Sequence, residues 1–295
     1  MDKLSAMQTF VRVAEAGSFI AVAEQMQVAR SAITRQVAAL ETRLGTKLIT
    51  RSTRRLTLTA AGAAYLEKCR VILHMVDAAE ASLGDEKTLP RGRIRLGVPL
   101  SFGLQVLMPA LLEFAKAQPY IDLVMDLSDQ RANLIEEGLD LALRITAELQ
   151  AGDIARQLGH CRLLTLASPD YLARHAEPRH PDELRHHECL LYANDTTRAT
   201  WVYREGDKAI AVPVRGRLVA NNGVLLMEAA VQGMGITRQP EFIAGPYLAR
   251  GEVRSILAAY EPAPLGIHAI LPSNRYIPHR VRVLMDHLAE ALSYV

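Results

Sequence analysis

Aromatic residues and cysteines are scarce in this sequence of 295 residues. Phe, Trp and Tyr make up 5% of the chain, and the three cysteines, Cys69, Cys161 and Cys189, form no CxxC pair. An odd number of widely spaced cysteines argues against a disulfide framework or a thiolate zinc site and favours a reducing, cytoplasmic location. The longest uncharged stretch, residues 96–112, is interrupted by polar residues and prolines, and the amino terminus lacks a basic segment followed by an apolar run. We therefore expect neither a membrane span nor a secretion signal.

Recognisable catalytic and metal-binding motifs are absent as well. The sequence has no GxSxG, P-loop or HExxH pattern, and Gly233-x-Gly235 lacks the third glycine of a dinucleotide fingerprint. Residues 186–189 read His-His-Glu-Cys, but adjacent side chains on a strand or loop point in different directions and do not converge on one ion. The sequence thus predicts no catalytic residues, no metal site and no cofactor.

Charge is distributed unevenly along the chain, although the net charge is only +2. Residues 1–60 contain nine basic and four acidic residues, and residues 28–59 contain seven basic residues and one acidic residue. A local excess of this size is typical of a surface that docks on a polyanion. The length and a hydrophobic content of 49% predict two domains, a basic module followed by a near-neutral body.

Apolar residues recur at helical spacing in three segments at the amino terminus. The first segment is predicted to be a helix that ends near Gly17, and Ser18 stands where a second helix, residues 19–26, needs its N-cap. A third helix is predicted to begin near Arg30 and to end at Gly45. The buried positions expected for the first and third helices are Leu4, Met7, Phe10, Val11, Ala14, Ile33, Val37, Leu40 and Leu44.

The opposite face of the third helix carries groups that suit DNA recognition. Its outward residues are predicted to be Arg30, Ser31, Thr34, Arg35 and Ala38. Arginine bonds bidentately to guanine, hydroxyls reach phosphates or base edges, and an alanine methyl contacts thymine. A short helix followed by such a helix predicts a helix-turn-helix that enters the major groove. The alternative is the solvated face of an ordinary helical bundle.

Residues 47–58 alternate apolar and polar side chains around a polar tip, which predicts a two-stranded wing. Arg51, Arg54 and Arg55 cluster at the turn of this wing. We expect them to contact phosphates or the minor groove of double-stranded DNA. The alternative is a charged loop that serves only solubility.

A long helix is predicted after Thr59. Its apolar residues lie at steps of four and three, the spacing of a coiled-coil seam, at Tyr65, Cys69, Ile72, Val76, Ala79 and Leu83. A helix over residues 59–83 is about 38 Å long, too long for one small domain to cover. We therefore expect dimerisation through Tyr65, Cys69, Ile72 and Val76. The alternative is that the stripe packs against the near-neutral body of its own chain.

Together these segments closely resemble the amino-terminal signature of LysR-type transcriptional regulators. The resemblance spans residues 1–84 and is carried by AVAEQM at 21–26, AITRQV at 32–37, LE at 40–41, LG at 44–45, KL at 47–48 and LTAAG at 58–62, with the arginines at 51, 54 and 55. It implies that the long helix pairs between subunits and that the assembly is a dimer or a tetramer of two dimers. Two positions depart from the family pattern. Ala29 replaces a common serine, which removes a cap or phosphate contact, and Ile49 replaces a common phenylalanine.

Strand and helix patterns alternate after a polar hinge at residues 85–92. Strands are expected at 94–98, 121–127, 139–144, 161–167, 189–192, 201–203, 209–212, 217–220 and 267–271, with helices at 105–117, 131–137, 223–232 and the carboxyl terminus. Such alternation predicts right-handed crossovers in a mostly parallel sheet. The family resemblance implies two lobes, with the last strand and helix returning to the first lobe.

The expected fold is therefore an all-α winged helix-turn-helix amino-terminal domain plus an α/β two-lobed effector domain resembling periplasmic binding proteins. The expected boundaries are 1–58 for the DNA-binding domain, 59–84 for a linker dimerisation helix, 85–92 for the hinge and 93–295 for the effector-binding domain. Within the last, lobe I is expected to comprise 93–165 and 266–295, and lobe II 166–265.

The cleft between the lobes is the expected site for a small-molecule effector, because helix N-termini at strand ends bind anions and acceptors. The predicted effector contacts are Ser101 and Phe102 after the first strand, Asn222 before a helix of the second lobe, and the positively charged Arg144 and Arg238. A carboxylate is the expected class of effector. For Ser101 and Asn222 the alternative is helix capping, and for Arg144 it is a surface ion pair. Arg238 needs water, a partner or a ligand within its strand.

Two functions remain open from the sequence. The first is a sequence-specific DNA-binding transcriptional regulator whose activity is modulated by a small-molecule effector bound between two α/β lobes. The second is a small-molecule enzyme or carrier with a basic amino-terminal appendage. Binding to DNA that weakens steeply as salt rises distinguishes the first from the second.

Overall fold

The computed structural model describes residues 2–51, 56–81, 89–130, 134–192, 198–272 and 277–293. The chain forms two compact units, residues 1–88 with 133–138 and residues 89–132 with 139–295. The first unit begins with helices α1 (Lys3–Ala16), α2 (Phe19–Gln25) and α3 (Arg30–Leu44), and it continues with strands β1 (Ile49–Arg51) and β2 (Leu56–Leu58) and helix α4 (Ala60–Ala81).

Local capping explains where the first three helices begin and end. The Asp2 carboxylate accepts hydrogen bonds from two N–H groups of the first turn of α1, and Ser18 Oγ accepts one from the first turn of α2. Gly45 ends α3 with a φ of 66°, a left-handed conformation that favours glycine. The cap predicted at Ser18 and the helix end predicted at Gly45 are both confirmed.

One apolar cluster holds the first unit together. Besides its apolar contacts, one polar contact joins α1 to α3, since Thr9 Oγ1 donates a hydrogen bond to Gln36 Oε1 at 2.7 Å. Leu44 is 37% exposed, so its predicted burial is wrong, because the last turn of α3 extends past the cluster. The buried members are Ala6, Met7, Phe10, Val13, Phe19, Val22, Ala23, Ile33, Val37, Leu40, Leu48, Ile49, Leu66 and Cys69.

The wing is fastened to α3 by the buried carboxylate of Glu41. β1 and β2 pair antiparallel as the predicted wing. Glu41 Oε1 accepts hydrogen bonds from the N–H groups of Leu48 (3.0 Å) and Ile49 (3.1 Å), and Oε2 accepts one from Lys47 Nζ (2.6 Å). Burial by itself raises the pKa of Glu41, but the hydrogen bonds and the Lys47 charge outweigh it, so the pKa is lowered overall.

Thr59 and Gly62 fix the start of α4 against the wing. Thr59 Oγ1 donates to the Lys47 carbonyl oxygen at 2.7 Å and accepts from the Gly62 N–H at 2.8 Å. A Cβ atom at position 62 would lie 1.9 Å from the Leu48 carbonyl oxygen, so only glycine fits there. The 22 residues of α4 span about 33 Å. Residues 82–88, which include the predicted end of this helix and part of the predicted hinge, lie outside the described residues.

The second unit alternates strands and helices. Its amino-terminal part contains β3 (Gly92–Val98), α5 (Leu100–Phe102), a π-helical turn (Gly103–Leu107), α6 (Met108–Ala117) and β4 (Ile121–Leu127). The helix α7 (Leu134–Glu137) follows in the chain but belongs to the first unit. After it come β5 (Leu141–Thr146), β6 (Ile154–Cys161), β7 (Leu163–Ala167), α8 (Pro169–His175), a 3-10 helix (Pro181–His186), β8 (Cys189–Tyr192), β9 (Arg198–Glu205), β10 (Lys208–Arg215), β11 (Val219–Ala220), α9 (Gly223–Val231), β12 (Ile236–Pro240), α10 (Glu241–Ala249), β13 (Arg254–Ile256), a 3-10 helix (Ala258–Tyr260), β14 (Leu265–Leu271) and α11 (His279–Leu292).

Two five-stranded sheets define lobe I and lobe II of this unit. The strand order is β4-β3-β5-β14-β6 in lobe I and β11-β8-β12-β7-β13 in lobe II, and β9 and β10 form a separate hairpin. β14 runs antiparallel to both of its neighbours, and β7 does the same in lobe II. The expectation of mostly parallel sheets is therefore wrong. Each sheet is mixed because the chain leaves one lobe, builds the other and returns.

The chain crosses between the lobes twice. The first crossing lies at Arg162, between β6 and β7, and the second comprises residues 257–264, between β13 and β14. Arg162 Nη2 lies 2.8 Å from Glu261 Oε1, and Arg162 Nε donates to Oε2 at 3.1 Å, so one ion pair ties the two crossings together. Because β7 pairs only within lobe II, the lobe boundary predicted at residue 165 is wrong and lies at residue 162.

Residues 100–117 form one helix through α5, the π-helical turn and α6. The helix is long and apolar enough to cross a membrane by length and composition alone. One side of it is nevertheless packed into lobe I through Phe102, Leu107, Leu111 and Phe114, as in the core helix of a globular domain. Its start was predicted five residues too late, since Pro99 and Gly103 are more typical of a loop.

We expect Glu41→Ala to destabilise the first unit by about 2 kcal/mol, because two buried N–H groups lose their acceptor. Glu41→Gln keeps an acceptor oxygen and loses only the ion pair with the exposed Lys47, so it is expected to cost about 0.5 kcal/mol. The lowered pKa of Glu41 makes this contribution complete above its unfolded-state pKa and lost as pH falls through the folded-state pKa.

Native-state hydrogen exchange of the first-unit amides in the full chain measures both effects. Equal losses in the two variants, or the same acid dependence in Glu41→Gln as in the wild type, would show that the carboxylate does not hold the wing.

Candidate DNA-binding surface and effector cleft

The outward face of α3 is solvent-accessible. Arg30, Ser31, Arg35 and Ala38 are exposed, and Thr34 is half-buried. Arg35 Nε donates a hydrogen bond to the Ser31 carbonyl oxygen one turn earlier at 3.3 Å, which holds the guanidinium along this face. The opposite side of α3 is fixed in the apolar core of the first unit. The face therefore presents two guanidinium groups and two hydroxyls on a rigid helix.

The first turn of α3 has no side-chain cap. Its N-cap residue is Ala29, as the departure from serine at this position predicted. N–H groups at a helix N-terminus carry partial positive charge and bind phosphate oxygens. Of the predicted wing contacts, Arg51 lies in β1, whereas its side chain and all of Arg54 and Arg55 lie outside the described residues.

Two of the predicted dimer contacts on α4 belong to the core of their own domain. Cys69 is completely buried, and half-buried Tyr65 packs against Phe10 with a ring distance of 5.8 Å. The prediction that Cys69 faces a partner is wrong, because α1 of the same domain covers this side of α4, whereas a partner contact of half-buried Tyr65 stays a prediction. Burial raises the pKa of the Cys69 thiol, as expected for an unreactive core residue.

The exposed apolar surface of α4 lies further along the helix. Ile72 is 38% exposed and Met75 is 61% exposed, while Val76 is half-buried. Ile72 and Met75 are three residues apart and so lie on the same side of the helix. Met75 was not among the predicted dimer contacts, because it falls outside the regular seam.

In the second unit, Ser101 and Asn222 meet at the cleft between lobe I and lobe II. Asn222 Nδ2 lies 3.5 Å from Ser101 Oγ. Ser101 is 7% exposed and lies inside the first turn of α5, whose N-cap is Pro99, so Ser101 is not a helix cap. Asn222 does cap α9, since its Oδ1 accepts the Leu225 N–H at 3.1 Å, while its Nδ2 faces lobe I.

Asp129, which the sequence analysis missed, completes this group. Its Oδ2 accepts a hydrogen bond from Asn222 Nδ2 at 3.1 Å, and its Oδ1 accepts the Leu100 N–H at 2.9 Å. One carboxylate therefore joins the N-terminus of α5 in lobe I to a side chain of lobe II. The signal for Asp129 in the sequence was only its place just after a predicted strand, and the structure adds that the carboxyl ends of β4 and β3 meet at the same edge of the sheet.

Tyr192, at the end of β8, is a second residue that the sequence analysis missed. Burial raises the pKa of Tyr192 to about 12, and the negative charge of Asp129 adds to the shift. The phenol is therefore protonated at neutral pH and keeps its O–H donor. Its position at the end of the strand predicted at 189–192 was readable from the sequence, whereas the pairing of that strand with β11 is seen only in the structure.

Phe102 does not face the cleft. Its side chain is completely buried in the core of lobe I, where the ring lies edge-on to Phe242 of α10 with centroids 5.3 Å apart. The prediction that Phe102 contacts an effector is wrong, because the helical turn that presents Ser101 directs Phe102 into the protein. The Phe102–Phe242 pair is instead a second contact between the lobes.

Arg144 and Arg238 have partners within the protein. Arg144 Nη1 lies 3.2 Å from Asp153 Oδ1, and both side chains are mostly buried. Arg238 Nη1 donates to the Val202 carbonyl oxygen at 3.0 Å, and its guanidinium lies 5.0 Å from the centre of the Trp201 ring. Arg144 thus forms an ion pair, as the alternative foresaw, but a mostly buried one and not one on the surface, and Arg238 faces the β9–β10 hairpin.

Two protein families match the chain. A bacterial regulatory helix-turn-helix protein of the lysR family matches residues 4–63, and a LysR substrate binding domain matches residues 87–293. An HTH-type transcriptional regulator of Xanthomonas campestris pv. campestris is 36% identical over 289 residues, which cover 97% of this chain and 84% of the relative. The HTH-type transcriptional regulator CrgA of Neisseria meningitidis is 32% identical over 287 residues, covering 97% and 96% of the two chains.

Solved structures agree with this relationship over the full length. Full-length AphB, a virulence activator of Vibrio cholerae in the LTTR family, is 27% identical with a TM-score of 0.62, and the match covers 98% of this chain and 99% of AphB. CrgA of Neisseria meningitidis, a LysR-type transcriptional regulator, is 32% identical with a TM-score of 0.60 and 98% coverage of both chains. The chain therefore belongs to the LysR family of DNA-binding transcriptional regulators, with an amino-terminal helix-turn-helix domain and a two-lobed effector domain.

Proposed function

We propose that this regulator reads its operator with Arg30, Ser31, Thr34 and Arg35. The observation that carries the proposal is that these residues share the accessible face of α3 while the other side of the helix is fixed in the core. Guanidinium groups discriminate guanine by paired hydrogen bonds in the major groove. Arg51, Arg54 and Arg55 of the wing add contacts to phosphates or the minor groove of double-stranded DNA.

The effector acts, in this proposal, at the meeting of Ser101 and Asn222. Lobe I and lobe II are bridged there by polar side chains, so a small molecule that bonds to both lobes favours one arrangement of the lobes over another. Arg144 and Arg238 act indirectly, by holding the strands around the cleft. The protein has no catalytic role, and it works in the cytoplasm, where its DNA lies.

Self-association of the chain brings together the two DNA-binding domains that an operator with two half-sites requires. A closed dimer needs one interface and a tetramer of two dimers needs a second one. Ile72, Met75 and Val76 of α4 supply the first. Exposed apolar residues of the second unit offer a second, and they are Leu104, Leu112, Leu225 and Met234.

We expect affinity for the DNA upstream of the regulator's own gene to fall by about 10³- to 10⁵-fold between roughly 50 and 200 mM salt, if about six to ten phosphates are neutralised. Arg35→Ala is expected to cost about 1 to 3 kcal/mol and to relax sequence preference. Arg43→Ala is the matched control, since Arg43 is exposed on the same helix but outside the proposed face. Gel-shift titrations measure these changes. Binding insensitive to salt would instead favour an enzyme or carrier with a basic appendage.

Arg54→Ala is expected to weaken binding to all sequences alike and to flatten the salt slope by about one, because a phosphate contact carries no sequence information. The same titrations, with operator and unrelated DNA compared, provide the measurement. If Arg54→Ala and Arg35→Ala behave identically, the two roles assigned to them are wrong.

Met75→Glu is expected to dissociate the α4 interface, because it places a charge on an apolar contact surface. Met75→Leu keeps the surface apolar and is expected to leave the oligomer intact. Sedimentation velocity of the full chain measures the mass of each variant. An unchanged mass for Met75→Glu would exclude this side of α4 as the dimer interface.

A further inference from the structure

The anion position of the effector cleft is already occupied by a carboxylate of the protein. The N-terminus of a helix usually receives a ligand's negative charge, because its first N–H groups lack partners within the helix. At the start of the 100–117 helix, the Leu100 N–H donates to Asp129 Oδ1 at 2.9 Å. The side chain of Asp129 therefore stands where an effector carboxylate would be expected to bind.

Both polar atoms of the Asn222 side-chain amide also bond to groups of the protein. Its Oδ1 accepts the Leu225 N–H, and its Nδ2 donates to Asp129 Oδ2 at 3.1 Å. The two cationic side chains predicted for this cleft also have partners, since Arg144 pairs with Asp153 and Arg238 bonds to the Val202 carbonyl oxygen. The amide of Asn222 and the two guanidinium groups are thus turned towards groups of the protein, which leaves the hydroxyls of Ser101 and Tyr192 as uncharged donors at this place.

Hydrogen-bond acceptor positions remain unused at the same end of the cleft. An ionised carboxylate has about four acceptor positions, and Leu100 and Asn222 occupy two of those of Asp129. Ser101 Oγ and the Tyr192 hydroxyl are further oxygens that accept hydrogen bonds. The raised pKa of Tyr192 reflects both its burial and the negative charge of Asp129. Asp129 is half-buried, so its charge is less screened than that of a surface carboxylate.

We propose that the effector presents a protonated amine or another cationic nitrogen group to Asp129, with Ser101 Oγ as a further acceptor. This inference rests on the proposed function of the cleft and specifies its ligand. It replaces the carboxylate expected from sequence, because a second carboxylate beside Asp129 meets a like charge and no cationic side chain turned towards it. An ammonium group has three N–H donors and matches the acceptors that remain.

Matched probes test the inference in the full chain. Benzylamine, benzoate and benzamide share one skeleton, and butylamine, butyrate and butyramide share another, so only the head group differs within each set. Ligand-observed NMR titration gives the Kd of each probe. In the wild type the amine of at least one skeleton is expected to bind about tenfold or more tightly than the acid. In Asp129→Asn the ratio is expected to fall to about one. Asp126→Asn removes an exposed carboxylate of β4 and is expected to preserve the wild-type ratio.

Three results would overturn the inference: acids that bind as tightly as the amines, a preference for amines that survives in Asp129→Asn, or no binding by any amine. Ser101→Ala separates this inference from the proposed function. If acids bind and Ser101→Ala weakens them, the cleft is the effector site and only the assigned charge is wrong. If Ser101→Ala changes the Kd of no probe, the cleft assignment fails as well.

Discussion

The two crossings between lobe I and lobe II constrain the whole second unit. Because β14 returns to the sheet of lobe I, that lobe is completed by segments from both ends of the unit, and lobe II is inserted between them. Arg162 and Glu261 tie the crossings to each other. The chain therefore joins the sheets only through these two crossings, and their relative position can change without breaking a strand pair in either lobe.

The effector cleft follows from that topology. Ser101 comes after β3, Asp129 after β4 and Asn222 after β11, so three strand ends deliver three polar side chains to one place. The hydrogen bonds between these three side chains are few, each lobe has its own apolar core, and the Phe102–Phe242 ring pair adds an apolar contact between the lobes. A ligand that changes a few polar bonds between the lobes can therefore shift their arrangement without competing against the packing inside them.

Much of this fold was predictable because apolar residues that face the core recur with the spacing of the helix or strand in which they lie. The limits of α1 to α3 followed from spacing and caps, and the wing followed from alternation. Cys69 shows the limit of such reasoning. Its spacing placed it on an apolar stripe, but the spacing contains no information on which surface covers the stripe, and α1 of the same chain does so.

The candidate site was predictable only in part, for a similar reason. Ser101 and Asn222 followed from the rule that ligands bind at strand ends. Phe102 is adjacent to Ser101 in sequence, yet the helical turn sends the two side chains in different directions. Asp129 required the order of strands in the sheet, which places β4 beside β3. A sequence read one segment at a time does not contain that order.

The uncapped first turn of α3 has a consequence for the free protein. An alanine in place of a serine at an N-cap costs about 1 kcal/mol of helix stability. In the free protein water takes the place of the missing side-chain acceptor, and in the proposed complex a DNA phosphate suits the same N–H groups. Such a phosphate contact is the same on operator and random DNA, because phosphates carry no sequence information, and it leaves discrimination to the side chains that follow.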